Sequence, residues 1–257
     1  MDAGALRIDA AIVGVQRGGT SSLAAALARH PDVCLAEGKE AHLFDLAEVQ
    51  ADGPDPARLD QLFAARHEGS ILLDATPAYL YMPGCIEALA RHNPEMAIIA
   101  VLRDPAERAR SHHALELARG WEDLDFAAAL RAEGRRLAED PDPMVLRSPT
   151  RVHAYRTRGR YHHQVARVLA HFPDALFLRF DDLVERPGPT VARALAHLGL
   201  VPDDQDEALP RLNGARGGDR SWREALLRRQ LRADTRATER LLGWPVGSIS
   251  RARAPRA

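Results

Sequence analysis

Short apolar runs alternate with helix-forming segments along the first 200 positions of the chain. Four of these runs predict strands: Ala10–Val15, Ser70–Leu73, Met96–Leu102 and Ala175–Phe180. They are almost continuously apolar, which is typical of parallel strands that are covered on both faces. Because strands alternate with helices, the sequence predicts an α/β fold built on a doubly wound, mainly parallel sheet.

Helical periodicity and capping residues mark the segments between the strands. Asp104 is a predicted N-cap, and Pro105 is the first helical residue after the third strand. Pro- and Asp-rich stretches at 52–56 and 139–149 predict surface loops. We expect one domain over residues 1–257, with a frayed tail at 251–257. The predicted helices are Leu23–Arg29, Gly84–His92, Pro105–Arg119, Tyr161–His171, Thr190–Leu198 and Arg223–Arg240.

Composition narrows the partners and the location of the protein. The formal net charge of -1 argues against a general nucleic-acid binder. No apolar run approaches the ~18 residues of a membrane span. Two cysteines, Cys34 and Cys85, form no disulfide framework, so reduced thiols and a cytoplasmic location are expected. Lys39 is the only lysine in the chain, which makes the pair Lys39–Glu40 a candidate for chemistry.

A glycine-rich turn directly after the first predicted strand indicates an anion site. The segment 12–22 reads Ile-Val-Gly-Val-Gln-Arg-Gly-Gly-Thr-Ser-Ser and leads into a helix. Amide N–H groups at a helix N-terminus, together with the helix dipole, bind phosphate-like groups. We expect the amides of residues 18–21 to surround such a group and Arg17 to neutralise a bridging oxygen. The turn lacks the Gly-Lys-Ser/Thr ending of a nucleoside triphosphatase loop.

A second candidate anion site follows the third predicted strand. Arg103 lies where the strand ends, on the edge of the sheet where ligands bind in doubly wound folds. Ser111 lies about two turns into the next helix and is expected to reach the same anion. Two such sites predict a ligand with two separated anionic groups.

These motifs resemble those of sulfotransferases that use 3′-phosphoadenosine 5′-phosphosulfate (PAPS), above all the heparan sulfate 3-O- and N-sulfotransferase group. The resemblance rests on Gly-Val-Gln-Arg-Gly-Gly-Thr at 14–20 and Leu-Arg-Asp-Pro-x-Glu-Arg-x-x-Ser at 102–111. Two further stretches, 39–45 and 75–80, are similar to Glu-x-His-Phe-Phe-Asp and Lys-Thr-Pro-Ala-Tyr-Phe of that family. The resemblance covers most of residues 8–200, and the four motifs occur in the same order as in that family.

The resemblance implies a P-loop-like architecture and a role for each matched residue. The phosphosulfate would be held by Arg17, Gly18, Gly19, Thr20, Ser21 and Ser22. The 3′-phosphate would be held by Arg103 and Ser111, and the rest of the nucleotide site would include Tyr161, Arg216, Gly217 and Arg220. The acceptor cleft would include Lys39, His42, Asp45, Thr76, Pro77 and Tyr79. Glu40 would be the general base, and adenosine 3′,5′-bisphosphate (PAP) the product, with no metal required.

Three departures from the family pattern matter. Arg17 stands where the family usually has lysine, and an arginine stabilises charge but is a poor acid. Ala75 replaces the lysine of the acceptor-side motif, which argues against a polysaccharide acceptor. The late disulfide of the secreted animal members is absent, because no cysteine follows Cys85.

The choice of base stays open between two neighbouring residues. A free histidine titrates near ~6.5 and a free glutamate near ~4.3, so His42 is intrinsically better matched to neutral pH than Glu40. Burial would raise the pKa of Glu40 toward neutrality. The resemblance favours Glu40, with His42 as the alternative.

Two other function classes compete with sulfuryl transfer. A Mg²⁺-dependent P-loop kinase or triphosphatase would use Asp74, at the end of an apolar strand, as its metal ligand. The missing Gly-Lys-Ser/Thr ending argues against this hypothesis. A non-catalytic nucleotide-binding or scaffold protein would bind PAP without modifying any acceptor.

Overall fold

The computed structural model describes residues 6–201 and 222–250, and these form two compact units. The first unit comprises the described residues of Met1–Val101 and Arg167–Gly214, and the second those of Leu102–Ala166 and Ala215–Ala257. The expectation of a single domain over 1–257 stays a prediction. The tail at 251–257 lies outside the described residues.

A five-stranded sheet is the centre of the first unit. Its strands are β1 (Ala10–Gly14), β2 (Val33–Leu35), β3 (Ile71–Asp74), β4 (Ala97–Leu102) and β5 (Leu176–Arg179). Their order is β2-β3-β1-β4-β5, and β1 pairs parallel with both β3 and β4. The predicted α/β fold with a parallel sheet is therefore confirmed. Since β1 is the central strand, the glycine-rich turn follows the middle of the sheet, where doubly wound folds bind ligands.

Helices connect the strands, and apolar side chains fill the space between the two kinds of element. With helices numbered in chain order, the first unit contains α1 (Thr20–Leu27), α2 (Ala47–Asp52), α3 (Pro56–Leu62), α4 (Cys85–His92), α9 (Phe180–Glu185) and α10 (Pro187–His197). The core of this unit packs residues of β1, β3 and β4 against α1 and α10, including the fully buried Ile12, Leu23 and Ile99. This packing holds the start of α1 against the end of β1.

The second unit is helical. Its helices are α5 (Pro105–Ala118), α6 (Phe126–Ala138), α7 (Pro149–Val152), a 3-10 turn (Thr157–Gly159) and α11 (Trp222–Leu241), and α8 (Tyr161–His171) contains the boundary between the units. A small core joins Ala109 of α5, Ala129 of α6 and Leu231 of α11. The Asp104 carboxylate accepts N–H groups of residues 106 and 107, which confirms it as the N-cap of α5.

Several elements were missed or misplaced by the sequence pattern. Strand β2 has only three residues, too few for a periodicity to show. Helix α6 was missed although Asp125 caps it with hydrogen bonds to two amides. Helix α1 begins at Thr20 rather than Leu23, because the hydroxyl residues of the glycine-rich turn already belong to its first turn.

Candidate functional site

The glycine-rich turn after β1 has the shape that its glycines require. A Cβ on Gly18 would lie 2.7 Å from the carbonyl oxygen of Val101 and 2.8 Å from atoms of Val15, so a larger residue does not fit there. Gly19 has φ of 88° and is the residue before α1. Arg17, which is half-buried, also has a positive φ of 69°. The turn is therefore a tight, backbone-lined entry into the helix.

The helix N-terminus presents amide groups that the helix itself does not use. The first intrahelical bond in this region runs from the Leu23 amide to the Gly19 carbonyl, 3.1 Å. The amides of Thr20, Ser21 and Ser22 precede it in the first turn, and the N-cap residue Gly19 provides no side-chain acceptor for them. The Gly18 amide, by contrast, donates to the Val15 carbonyl at 2.8 Å. The Gly18 amide therefore has a backbone acceptor within the turn, and its contact with an anion stays a prediction.

A chain of charged side chains occupies the loop after β2. The Lys39 ammonium donates to Glu40 Oε1 at 2.6 Å. Glu40 Oε2 lies 3.2 Å from Nε2 of His42, and Nδ1 of His42 lies 2.9 Å from Oδ2 of Asp45. Asp45 is only 1% exposed, whereas Glu40 is 35% and His42 is 46% exposed. The chain therefore runs from a buried carboxylate to two groups that solvent and ligands can reach.

The charges around Glu40 and His42 shift the pKa values of both residues away from what the sequence predicts. The hydrogen bonds that His42 donates to Asp45 and then to Glu40 raise its pKa to about 9. Burial alone would raise the pKa of Glu40, but the hydrogen bonds from His42 and Lys39 outweigh it and leave that pKa below its ordinary value. The expectation of a near-neutral Glu40 is therefore wrong. At pH 7 the site holds an ionised Glu40 between two cations.

The acceptor-side motif at 75–80 is buried. Thr76 and Tyr79 are 0% exposed, and Pro77 is buried beside them. Both hydroxyls donate to Asp74, Thr76 to Oδ1 and Tyr79 to Oδ2, each at 2.7 Å. The structure thus brings Thr76 and Tyr79 to the Glu40 loop as supports. Their direct contact with an acceptor stays a prediction.

Asp74 is a functional candidate to which the sequence pointed for a different reason. Besides the two hydroxyls, its carboxylate accepts the Ala41 amide at 3.1 Å, and its burial raises its pKa. A magnesium ligand would need these oxygens for the metal. Because protein donors already occupy them, this site does not fit the kinase or triphosphatase hypothesis. The strand-end position of Asp74 was the available signal, and its three partners were not visible in the sequence.

The predicted 3′-phosphate residues belong to the second unit. Arg103 is half-buried and its guanidinium lies 3.4 Å from Oε2 of Glu107. Ser111 is buried on α5. Tyr161 is fully buried and its hydroxyl donates to the backbone carbonyl of Arg103 at 3.0 Å, so it fixes the backbone at this arginine. Contact of any of the three with a nucleotide stays a prediction.

Four further expectations concern the late Gly/Arg loop, metal sites, membrane spans and the cysteines. Arg216, Gly217 and Arg220 lie outside the described residues. Across residues 6–201 and 222–250, no cluster of three or more His, Cys, Asp or Glu side chains is arranged to hold a metal ion. Over the same ranges, every helix is too short or too polar to cross a membrane. Cys34 and Cys85 are both buried free thiols.

Known proteins resemble this chain in sequence. Human heparan sulfate glucosamine 3-O-sulfotransferase 6 is 30% identical over 221 residues, which are 82% of this chain and 60% of the human protein. Mouse heparan sulfate glucosamine 3-O-sulfotransferase 5 is 29% identical over 195 residues, 75% of this chain and 54% of the mouse protein. The chain therefore spans just over half the length of the curated relatives it matches. No protein-family model matches the sequence.

Solved structures resemble it in fold. A sulfotransferase from Alicyclobacillus acidocaldarius superposes with a TM-score of 0.75 and 27% identity, covering 96% of this chain and 100% of that one. The sulfotransferase domain from the curacin biosynthetic pathway gives a TM-score of 0.51 at 16% identity, covering 94% of this chain and 99% of that one, which shows the shared fold alone.

The parallel sheet and the turn into α1 define an α/β protein with a P-loop-like anion-binding architecture. Within that class, the relatives in sequence and in structure agree on one family. The chain belongs to the sulfotransferases.

Proposed function

We propose that this chain transfers a sulfuryl group from PAPS to a hydroxyl or amine of a small-molecule or carbohydrate acceptor. The observation that carries the proposal is the series of ion pairs that joins Lys39, Glu40, His42 and Asp45. It holds the exposed carboxylate of Glu40 ionised between two cations. Such a carboxylate suits the one proton transfer that sulfuryl transfer needs. The names of the curated relatives, which specify heparan sulfate glucosamine, support a carbohydrate as the first acceptor to test.

Glu40 is the proposed general base. With a pKa raised to about 9, His42 carries its proton at neutral pH and has no lone pair to offer. Glu40 has a lowered pKa and is ionised there, so it accepts the acceptor proton. As that proton moves, the acceptor oxygen or nitrogen bonds to sulfur, and the sulfur–oxygen bond to the phosphate breaks. The bonding electron pair leaves with the phosphate oxygen, and PAP is the product.

The charged neighbours of Glu40 have proposed roles of their own. His42 and Lys39 orient the carboxylate through its two oxygens, and Asp45 holds the imidazole from the buried side. The two cations also favour the negative charge that develops during transfer. A base that is held in this way contributes about 10²- to 10⁴-fold to the rate.

The donor residues are proposed from the family resemblance and from the α1 N-terminus. The three unused amides of Thr20, Ser21 and Ser22, together with Arg17, suit the phosphosulfate. Arg103 and Ser111 are proposed for the 3′-phosphate, with Tyr161 holding the Arg103 backbone. Charge-assisted bonds of this kind contribute about 1.5–3 kcal/mol each.

A melting-temperature screen of PAP against ATP, ADP and AMP tests the donor assignment. A ligand at ~100 times its dissociation constant stabilises the fold by ~2.7 kcal/mol. PAP is expected to give the largest increase, and Arg103→Ala to remove most of it while AMP changes little. Arg135→Ala is the matched control, because Arg135 is an exposed arginine of the same unit that pairs only loosely, at 3.7 Å, with Glu139. An equal response to PAP and AMP in the wild type would reject the assignment.

Transfer itself is measured with labelled PAPS, a heparan oligosaccharide and 4-nitrophenol as acceptors, and EDTA in the buffer. Labelled product in the presence of EDTA supports sulfuryl transfer, because a kinase or triphosphatase would require Mg²⁺. Binding of PAP with no transfer to a wide acceptor panel would favour the non-catalytic hypothesis.

A further inference from the structure

Three buried side chains hold the backbone of the Glu40 loop. Four consecutive amide N–H groups of this loop, at residues 41–44, donate to side-chain oxygens from the last residue of β3 and from the segment that follows it. We call these three side chains the loop frame: Asp74, Thr76 and Tyr79. Its contacts are Ala41 N to Asp74 Oδ1 at 3.1 Å, His42 N to Thr76 Oγ1 at 3.3 Å, and Leu43 N and Phe44 N to the Tyr79 hydroxyl at 3.0 and 3.4 Å.

The loop frame is connected internally. Both hydroxyls accept from the loop and donate to Asp74, so each is used in two directions. All three side chains are fully buried, and the Phe44 ring packs edge-on against Tyr79 at 5.7 Å between centroids. Hydrogen bonds in such a buried network strengthen one another. Removing one hydroxyl therefore loosens more than one amide.

The loop needs such support because its backbone is strained on both sides of Glu40, at Lys39 and at His42. Lys39 has φ of 73° and His42 has φ of 48°, values in the left-handed region that non-glycine residues rarely adopt. Such a conformation persists only where the surroundings over-determine it. The Ala75 amide also donates to the Lys39 carbonyl at 3.1 Å, which ties the first strained residue to the same segment.

The segment that carries the loop frame is anchored to the central strand. The Leu80 amide donates to the Val13 carbonyl at 2.9 Å. A Cβ on Gly14 would lie 2.7 Å from Leu80 Cβ, so the glycine permits this close approach. The Glu40 loop is thus fixed, through one buried segment, to the strand that ends in the glycine-rich turn.

We propose that Asp74, Thr76 and Tyr79 are positioning residues that set the orientation of Glu40 and His42 through the loop backbone, and that they do not bind the acceptor. The proposal rests on the proposed function for what Glu40 and His42 do. Their effect on rate arises because a small displacement of a catalytic group can cost about 10²-fold.

Two variants test the loop frame. Tyr79→Phe removes the acceptor of two amides, and Thr76→Val removes the acceptor of the His42 amide with little change in volume. We expect PAP release from PAPS, with a heparan oligosaccharide as acceptor, to fall about 10- to 100-fold in kcat. The KM for the oligosaccharide should stay within about twofold, because no acceptor contact is lost. Thr76→Ser keeps the hydroxyl and should restore most of the rate.

A second readout follows the histidine directly. The groups that face His42 are Glu40, Asp45 and Asp74, and the first two hold its pKa at about 9. Histidine-detected NMR should show that pKa falling toward its ordinary value in Tyr79→Phe and Thr76→Val, since the loosened loop weakens both contacts. Tyr155→Phe is the matched control, because it removes an equally buried hydroxyl from the second unit. It should change neither kcat nor the His42 titration.

The outcomes separate the two proposals. A kcat within twofold of the wild type and an unchanged His42 titration in both variants would overturn the loop frame, as would a rise in acceptor KM with kcat preserved. If Tyr79→Phe does not fold, the milder Thr76→Val decides. If the wild type transfers no sulfuryl group, the proposed function fails, while the His42 titration still tests the positioning.

Discussion

Two glutamates of this protein have similar neighbours and opposite surroundings. Glu40, in the first unit, contacts Lys39 and His42 and is 35% exposed. Glu122, in the second unit, contacts Arg136, Tyr155 and His153 and is 0% exposed. The residue types alone do not distinguish the carboxylate that we propose as a base from a structural one.

The difference lies in how completely each carboxylate is occupied. Glu122 accepts two bonds from Arg136, at 2.7 and 3.2 Å, one from Tyr155 at 2.8 Å, and two from the amides of residues 123 and 124. Burial alone would raise its pKa, but these donors lower it to about 2. A carboxylate with every position filled is a structural centre. Glu40 keeps an exposed side from which an acceptor can approach.

The histidine beside each glutamate shows the same contrast. Two carboxylates raise the pKa of His42 to about 9. Burial and the neighbouring Arg136 lower the pKa of His153, although Glu122 opposes them. One histidine is therefore a cation at neutral pH and the other is neutral. The balance of nearby charges, rather than the presence of a glutamate, decides which.

The largest expected effect is on catalysis. Glu40→Gln removes the proposed base and should lower kcat by about 10²- to 10⁴-fold. PAP should still raise the melting temperature as in the wild type, since no donor residue has changed. Single-turnover transfer from labelled PAPS measures the rate. If Glu40→Gln stays active while His42→Ala is inactive, the two residues exchange roles.

The matching change in the second unit should affect stability. Glu122→Gln loses the charge that five hydrogen bonds stabilise, two of them from Arg136, and should lower the free energy of unfolding by about 1–3 kcal/mol. Urea unfolding measures it, and kcat per folded molecule should stay near that of the wild type. A catalytic loss as large as that of Glu40→Gln would break the contrast between the two glutamates.

The loss of stability at acid pH also tests the structural role of Glu122. Because the pKa of Glu122 is lowered to about 2, its contribution is complete above the ordinary glutamate value and is lost as the pH falls from there toward 2. Unfolding measured between pH 5 and 2 should therefore show a shallower loss of stability in Glu122→Gln than in the wild type. Parallel curves would contradict the assigned pKa direction.

The two histidines should titrate on opposite sides of neutrality. His42 should keep its proton until the pH rises through about 9, whereas His153 should gain one only below its ordinary value. Histidine-detected NMR resolves them, with His42→Asn and His153→Asn for assignment. The rate should fall at high pH with the His42 titration. A rate that is constant through that titration would show that its charge is dispensable.

The smallest effect concerns the single lysine. Lys39→Met removes one of the two cations that lower the pKa of Glu40, so the acid limb of the rate should move to higher pH. Because this pair is partly exposed, the rate at pH 7 should change by only a few-fold. The pH–rate profile of the variant checks both. A large loss at pH 7 would instead give Lys39 a direct part in the transfer.

The comparison also explains what sequence patterns could predict. The strands β1, β3, β4 and β5 and the N-cap Asp104 were found because apolar runs and capping residues act locally. Arg17 was predicted from the glycine-rich turn, and Glu40 and His42 were predicted from the resemblance to a family; all three assignments stay predictions. The hydrogen bonds that Asp74, Thr76 and Tyr79 make to the Glu40 loop were not visible in the sequence, because the bonded residues lie more than 30 positions apart in the chain.

The sequence by itself determined the α/β class, the glycine turn that enters a helix, and the residues from which a sulfotransferase site can be built. The class and the turn follow from periodicity and steric rules that operate within a few residues, whereas the site residues follow from the resemblance to a family. Only the tertiary structure decided which side chains are charged at neutral pH and which are held in place by hydrogen bonds. Burial, the ionisation of His42 and Glu40, and the support that Asp74 gives to the Glu40 loop depend on distances between segments that are remote in the chain.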